Sequence, residues 1–221
     1  MKKTKSKSFN LKCRLCPRLA EFLDDVRTVN PDYHARPVPS FGDPNAQLLV
    51  VGLAPGMHGA NRTGRPFTGD HAGVLLYETL FRYGFANQAT GEHPDDGLSL
   101  HNCRIANAVK CLPPQNKPVG AEINTCNQYL QIELAEIKHP VVVVALGTIA
   151  HAAVLTALGY KKSHAKFAHG EVHRLSETRT LLDSYHCSRY NTQTKRLTTD
   201  MFRNIFATAG ELIAAFPASA N

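Results

Sequence analysis

Val141-Val-Val-Val-Ala-Leu146 is a run of six apolar residues with no polar interruption. A strand with one wet face alternates apolar and polar residues. A strand that does not alternate is covered on both sides, the pattern of a parallel sheet sandwiched between helices. Six residues are also far short of the roughly 20 that a membrane helix needs. Gln47–Leu53, Cys103–Lys110 and Thr180–Tyr185 read as three further strands, with Ile105, Asn107 and Val109 sharing one face of the second. Helical spacing follows Pro17, at Leu19, Phe22, Leu23 and Val26. It recurs over His71–Tyr83 with Gly84 as a stop, over Gly120–Lys138 and over Thr199–Phe216. Thr148 is placed to cap another helix, which runs to Leu158 and ends at Gly159. Strand and helix alternate four times. The pattern predicts an α/β fold, a three-layer αβα sandwich around a central four-stranded, mainly parallel sheet. Ligands in such folds bind beyond the carboxyl ends of the strands. Here those ends lead into Ala54–Asp70, Cys111–Asn116 and Tyr185–Thr194.

The chain has 221 residues, enough for one core. Residues 1–12 read as a basic flexible tail and 13–221 as a single domain. A hydrophobic fraction of 43% excludes a disordered or fibrous chain. The formal charge of +7 favours a polyanionic partner such as nucleic acid. Lys2, Lys3, Lys5, Lys7 and Lys12 are followed by no apolar segment of the secretory kind, so a cytoplasmic, reducing location is expected. There, six cysteines are not expected to pair as disulfides. Cys13-x-x-Cys16 can instead bring two thiolates to one metal centre.

Two loops concentrate chemistry. Gly52–Asp70 carries five glycines together with His58, Asn61, Arg62, Arg65, Phe67 and Asp70, and lacks the Gly-Lys-Ser/Thr ending of a nucleotide-phosphate loop. Ser184–Leu197 carries His186, Ser188, Asn191 and the cations Arg189, Lys195 and Arg196. Several residues have ordinary structural readings. Asp70 can cap the helix that starts near His71. Phe67 can be core, Asn116 can form a turn beside two prolines, and Lys195 can be a solvated lysine.

Three segments are similar to motifs of the uracil-DNA glycosylase superfamily, most of all its family 5, the type-B enzymes. They are Asn61-Arg-Thr-Gly-Arg-Pro-Phe-Thr-Gly-Asp70 within Gly52–Asp70, Lys110-Cys-Leu-Pro-Pro-Gln-Asn-Lys-Pro118, and His186-Cys-Ser-Arg-Tyr-Asn191. The resemblance spans Cys13 to Leu197. It implies a glycosylase-like fold and a monofunctional enzyme that flips a deaminated base out of DNA and hydrolyses its N-glycosidic bond. Uracil is the implied target, with hypoxanthine, xanthine and ethenocytosine as further candidates. It implies Asp70, His186 and Asn116 as catalytic groups. Asp70 would position water, and His186 would stabilise charge on the departing base. Gly52, Ala54, Phe67, Asn107, Ser188 and Asn191 would hold the base, with Phe67 stacking on it. Leu53-Ala54 stands where better-known relatives have a carboxylate or amide, a substitution family 5 shares. Asn107 stands where family 4 places a uracil-reading asparagine and type-B enzymes tend to have a smaller residue.

By the same resemblance, Cys13, Cys16, Cys111 and Cys126 ligate a [4Fe-4S] cluster. Four thiolates alone suit zinc as well. Cys103 is left to the core and Cys187 without a role. Arg189, Tyr190, Lys195 and Arg196 would contact DNA, with Tyr190 as a wedge. A bacterial or archaeal, nucleoid-associated monomer repairing DNA is implied. Two alternatives use the same features, a non-catalytic, metal-stabilised DNA-binding protein and an iron–sulfur electron carrier.

Overall fold

A computed structural model describes residues 9–217. The expected tail lysines Lys2, Lys3, Lys5 and Lys7 lie outside the described residues. Lys12 lies inside them and is exposed. The order of elements is α1 (Pro17–Val29), β1 (Phe41–Gly42), β2 (Leu48–Gly52), α2 (Ala60–Thr63), α3 (His71–Arg82), β3 (Cys103–Asn107), α4 (Gly120–Glu136), β4 (Val141–Leu146), α5 (Thr148–Ala157), β5 (Val172–Ser176), β6 (Arg179–Ser184), α6 (Arg189–Gln193) and α7 (Thr199–Ala214).

The sheet order is β1-β3-β2-β4-β6-β5. The central four, β3-β2-β4-β6, are parallel neighbours, as the apolar run at β4 required. All six residues of β4 are buried. One sheet face packs Leu48, Val50, Ile105, Val142, Val144 and Leu182 against α3 and α7. The other packs Leu49, Val51, Ala106, Val143 and Leu181 against α4 and α5. This is the three-layer αβα arrangement, with residues alternating between two cores.

The sheet has six strands rather than the expected four. β1 pairs antiparallel with β3, and β5 pairs antiparallel with β6. β1 is two residues long and β5 has no fully buried residue. Neither carries an apolar pattern, because an edge strand is defined by the neighbour it pairs with. Residues 30–44 hold four prolines, a composition typical of a surface segment, yet Ala35 and Val38 are buried within it. Ala35 N–H donates to the Asn61 carbonyl and Val38 N–H to the Lys110 carbonyl, so the segment packs over the glycine-rich loop.

Gly147 caps α5, not Thr148. Gly147 N–H still pairs with the Ser184 carbonyl at 2.8 Å, so the strand ladder runs one residue further and the helix starts after it. β3 stops at Asn107, and β6 spans Arg179–Ser184 rather than Thr180–Tyr185. Cys103 is fully buried in the core, as expected.

Candidate base-binding pocket

A pocket of about 400 Å³ opens at the carboxyl ends of the parallel strands. That volume suits a small ligand. Its wall includes Ala54, Phe67, Asp70, Asn107, Asn116, His186 and Ser188, so residues 130 or so apart in sequence converge there. The end of β4 adds Leu146, Gly147, Thr148 and Ile149. No chemical residue type marks that last stretch in the sequence; its position after a central strand is the signal that could have found it.

Phe67 forms one wall. Its ring lies roughly parallel to the His186 imidazole, with centroids 6.1 Å apart and planes at 26°. Its φ is +55°, an outlying conformation for a bulky side chain. Such strain costs about 1–3 kcal/mol and persists only where the surroundings impose it. Here they do. Arg65 is buried, donates from Nε to Thr68 Oγ1 and forks onto Asp96 at 2.7 and 2.9 Å. Tyr77 donates its hydroxyl to the Pro66 carbonyl. The chain on both sides of Phe67 is therefore held by buried polar contacts.

Gly52 ends β2 beside Asn107, its register partner on β3. A Cβ on Gly52 would stand 2.5 Å from Asn107 Oδ1 and 2.7 Å from Phe67 Cζ. Gly52 thus does not itself line the pocket but leaves room for the two side chains that do. Asn107 is buried, and its Oδ1 has no hydrogen-bond partner among the described residues. A buried acceptor of this kind is expected to be satisfied, so it points to a donor arriving with a ligand.

Asp70 stands both at the start of α3 and at the pocket. Oδ1 accepts from Gly73 N–H at 2.8 Å, which caps α3. The same carboxylate lines the pocket. Its pKa is raised by burial, and the Gly73 and Ala72 N–H groups oppose that rise. A cap therefore keeps a buried carboxylate closer to ionised.

His186 is enclosed, and burial pushes its imidazole down to about 4. It is neutral at pH 7, and Nδ1 has no partner among the described residues. Asn191, expected against the base, is not among the pocket residues. Its Nδ2 donates to the His186 carbonyl at 2.8 Å. An amide there fixes the backbone that carries the histidine. Ser188 lines the pocket and also caps α6, accepting from Asn191 N–H. Cys187 is buried with its Sγ 3.5 Å from the Ala72 carbonyl, and His71 meets Thr192 at 3.1 Å. Those contacts tie the His186 loop to the first turn of α3, where Asp70 sits. Asn116 borders the pocket from an exposed turn in which both Gln115 and Asn116 have positive φ.

Outside the pocket mouth, Arg189, Tyr190, Lys195 and Arg196 are all exposed. Tyr190 is 71% exposed, unusual for so large an apolar ring. The Arg196 guanidinium stacks 4.7 Å over the Tyr185 ring.

Cys13, Cys16, Cys111 and Cys126 line one small cavity between the segment before α1, the loop after β3, and α4. Arg18 of α1 forks onto Glu122 of α4 at 2.7 and 2.8 Å, tying the helix that follows Cys16 to the helix that carries Cys126. Lys110 N–H donates to Cys126 Sγ. Burial pushes the Cys111 thiol far up, and the neighbouring sulfurs push the same way. Burial lifts the Cys126 thiol to about 11. Among the described residues, the group of three metal-binding donors lying within 4.8 Å of one another is His151, His173 and Asp183. No three of the cysteine sulfurs approach that closely. Among the described residues, no helix is long and apolar enough to cross a membrane.

The profile of the uracil DNA glycosylase superfamily matches residues 39–210. The chain is 46% identical over 205 residues to a protein of Thermus thermophilus named type-5 uracil-DNA glycosylase, covering 90% of this chain and 93% of that one. It is 41% identical over 201 residues to a protein of that name from Pyrobaculum aerophilum, covering 89% and 87%. It is 41% identical over 208 residues to another from Mycobacterium leprae, covering 90% and 91%.

Proposed function

Because the chain belongs to the uracil-DNA glycosylase superfamily, we propose that it excises uracil from DNA by hydrolysing the N-glycosidic bond in the Phe67–Asp70–His186 pocket. The observation that carries this reading is one cavity holding a capped carboxylate, a neutral imidazole and an aromatic wall. The flipped base stacks on Phe67, a contact worth about 1–3 kcal/mol. Uracil N3–H meets the unpaired Asn107 Oδ1. As the bond from C1′ to the base nitrogen breaks, negative charge grows on the base. Neutral His186 donates its N–H to the oxygen that receives it. Asp70 holds a water against C1′; the water oxygen bonds to C1′ and its proton passes to the carboxylate. Asn116 closes the pocket from its turn. Asn191 acts through His186 and is a positioning residue. Ala54 keeps the floor beneath the base small. Hypoxanthine, xanthine and ethenocytosine are further substrates to be tried in the same pocket.

Residues 13–221 act as one domain, a monomer in this reading. Arg189, Lys195 and Arg196 meet phosphates, and Tyr190 fills the gap the flipped base leaves. Lys12 and the lysines before it add salt-sensitive attraction.

The donor set of Cys13, Cys16, Cys111 and Cys126 fits a [4Fe-4S] cluster. Burial and the neighbouring sulfurs raise the Cys16, Cys111 and Cys126 thiols, which a cation among them would offset. Tetrahedral zinc at a Zn–S bond of about 2.3 Å would draw its sulfurs to about 3.8 Å apart, whereas a polynuclear cluster needs them wider. A bound cluster supplies a rigid, redox-capable link between sulfurs from distant parts of the chain. Cys13 and Cys16 then fasten the N-terminal segment to α4.

The test is cleavage of a uracil-containing duplex after alkali treatment. The expected result is an abasic product from wild-type protein. No abasic site from uracil, hypoxanthine or xanthine substrates would refute the enzymatic reading and favour a DNA-binding protein of the same fold.

A further inference from the structure

A compact cluster of titratable side chains lies outside the pocket and the cysteine cavity, joining β5, β6 and α5. Asp183 of β6 is fully buried, and His151 of α5 is 4% exposed. His173 of β5 is partly exposed. Asp183 Oδ1 stands 2.7 Å from His151 Nδ1, and Oδ2 stands 3.1 Å from His173 Nε2. The ion-pair partners of Asp183 among the described residues are these two histidines. Ala168 N–H donates to Oδ2 at 3.4 Å.

The donor inventory of His151 is the informative detail. Its Nε2 lies 3.0 Å from the Ala165 carbonyl. A carbonyl only accepts, so the proton of a neutral ring sits on Nε2. Nδ1 then presents a lone pair to a carboxylate oxygen 2.7 Å away. Two acceptors at that distance repel unless a positive species binds both. We propose that His151, His173 and Asp183 form a site for one divalent cation of the zinc class.

The three donor atoms lie within 4.8 Å of one another, close enough for a single ion. Two imidazole nitrogens and a carboxylate oxygen suit zinc in donor type and number. The Ala165 carbonyl is the outer contact that such a ligand histidine usually has, fixing its tautomer and orientation. The partial exposure of His173 gives an entry path and room for a water as fourth ligand. The neighbouring histidines are otherwise engaged. His169 Nδ1 accepts from Tyr185 N–H, and His164 stacks on Tyr160.

The ion would join three elements. α5 begins at the pocket-lining residues Thr148 and Ile149. β6 continues from Asp183 through Ser184 and Tyr185 to His186. β5 is an edge strand with little apolar burial to hold it. A cation here staples that edge to the strand that delivers His186. The role is structural and does not depend on what the pocket cleaves.

The experiment is zinc titration of the full chain with its cysteine centre intact, by calorimetry and thermal unfolding, with the visible absorbance followed throughout. Wild type is expected to bind one zinc per chain saturably and to unfold several degrees higher in excess zinc. H173Q, altered at a partly exposed edge position, and D183N are expected to bind at least ten-fold more weakly and lose the shift. X-ray absorption of the zinc-loaded wild type is expected to give nitrogen and oxygen ligands. The proposal is overturned by any of three outcomes. One is no saturable binding, which leaves a second proton on His151 as the bridging charge. The second is equal zinc affinity in wild type and H173Q. The third is a sulfur shell around the zinc, meaning that it had entered the cysteine centre.

Discussion

Asp70 both caps α3 and faces the pocket, and two substitutions separate the cap from the proposed catalytic role. Oδ1 accepts the Gly73 N–H at 2.8 Å, and the carboxylate also faces the pocket. Asp70→Asn keeps a side-chain oxygen at the cap, where asparagine ranks with aspartate, so stability should change little. Asp70→Ala removes the cap, at a cost of about 0.5–2 kcal/mol. For a domain of this size, 1 kcal/mol moves the unfolding midpoint by roughly 2–4 °C, so Asp70→Ala should unfold about 2–8 °C lower and Asp70→Asn close to wild type. Turnover should behave differently. An amide cannot take the proton from the attacking water, and loss of a positioned general base typically costs about 10²–10⁴-fold. Both variants should fall by that factor in single-turnover cleavage of a uracil duplex while still binding it. Burial raises the Asp70 pKa, so the carboxylate must lose its proton above the usual carboxylate range before it can act. The wild-type rate should therefore decline as pH falls through that raised pKa, and the decline should be absent from residual Asp70→Asn activity. If Asp70→Asn cleaves at the wild-type rate, the carboxylate is a cap alone. If Asp70→Asn loses stability as well as rate, the cap geometry drawn here is wrong.

Three other outcomes follow from the same geometry. Gly73→Ala would put a Cβ 1.7 Å from the Phe67 carbonyl oxygen, so the loop must move; a displacement near 1 Å at a reacting centre costs on the order of 10²-fold in rate, and unchanged turnover would refute the close approach. Asp96→Asn leaves the buried Arg65 fork half-paired, and should cost about 1.5–3 kcal/mol by thermal unfolding, hydrogen bonds to charged groups being worth that much. The Arg65 guanidinium holds the Asp96 carboxyl well below its ordinary value, so this contribution is complete above the unfolded carboxylate pKa of about 3.9 and is lost as pH falls below it; a wild-type stability flat through that range would contradict the pairing. Cys111→Ser should remove iron and visible absorbance from anaerobically prepared protein, and a colourless wild type would remove the case for the cluster.

The four parallel strands were legible because each has its own apolar pattern, and β4 most of all: six buried residues in a row admit one environment. The loops at their carboxyl ends were legible for the same reason, since the fold class dictates where ligands bind. β1 and β5 were not, because an edge strand's conformation comes from its neighbour rather than from its own side chains. Asn191 shows the same division at the site. Its place in a motif was readable, but only folding decided that its amide holds the His186 backbone instead of facing the pocket. The strained φ of Phe67 and the two acceptors around His151 belong wholly to tertiary structure. The sequence by itself determined the layers, the sheet's centre and the side of it that carries chemistry, because periodicity and burial are local and additive. The tertiary structure decided which polar atoms are left without partners, because that depends on groups brought together from distant parts of the chain.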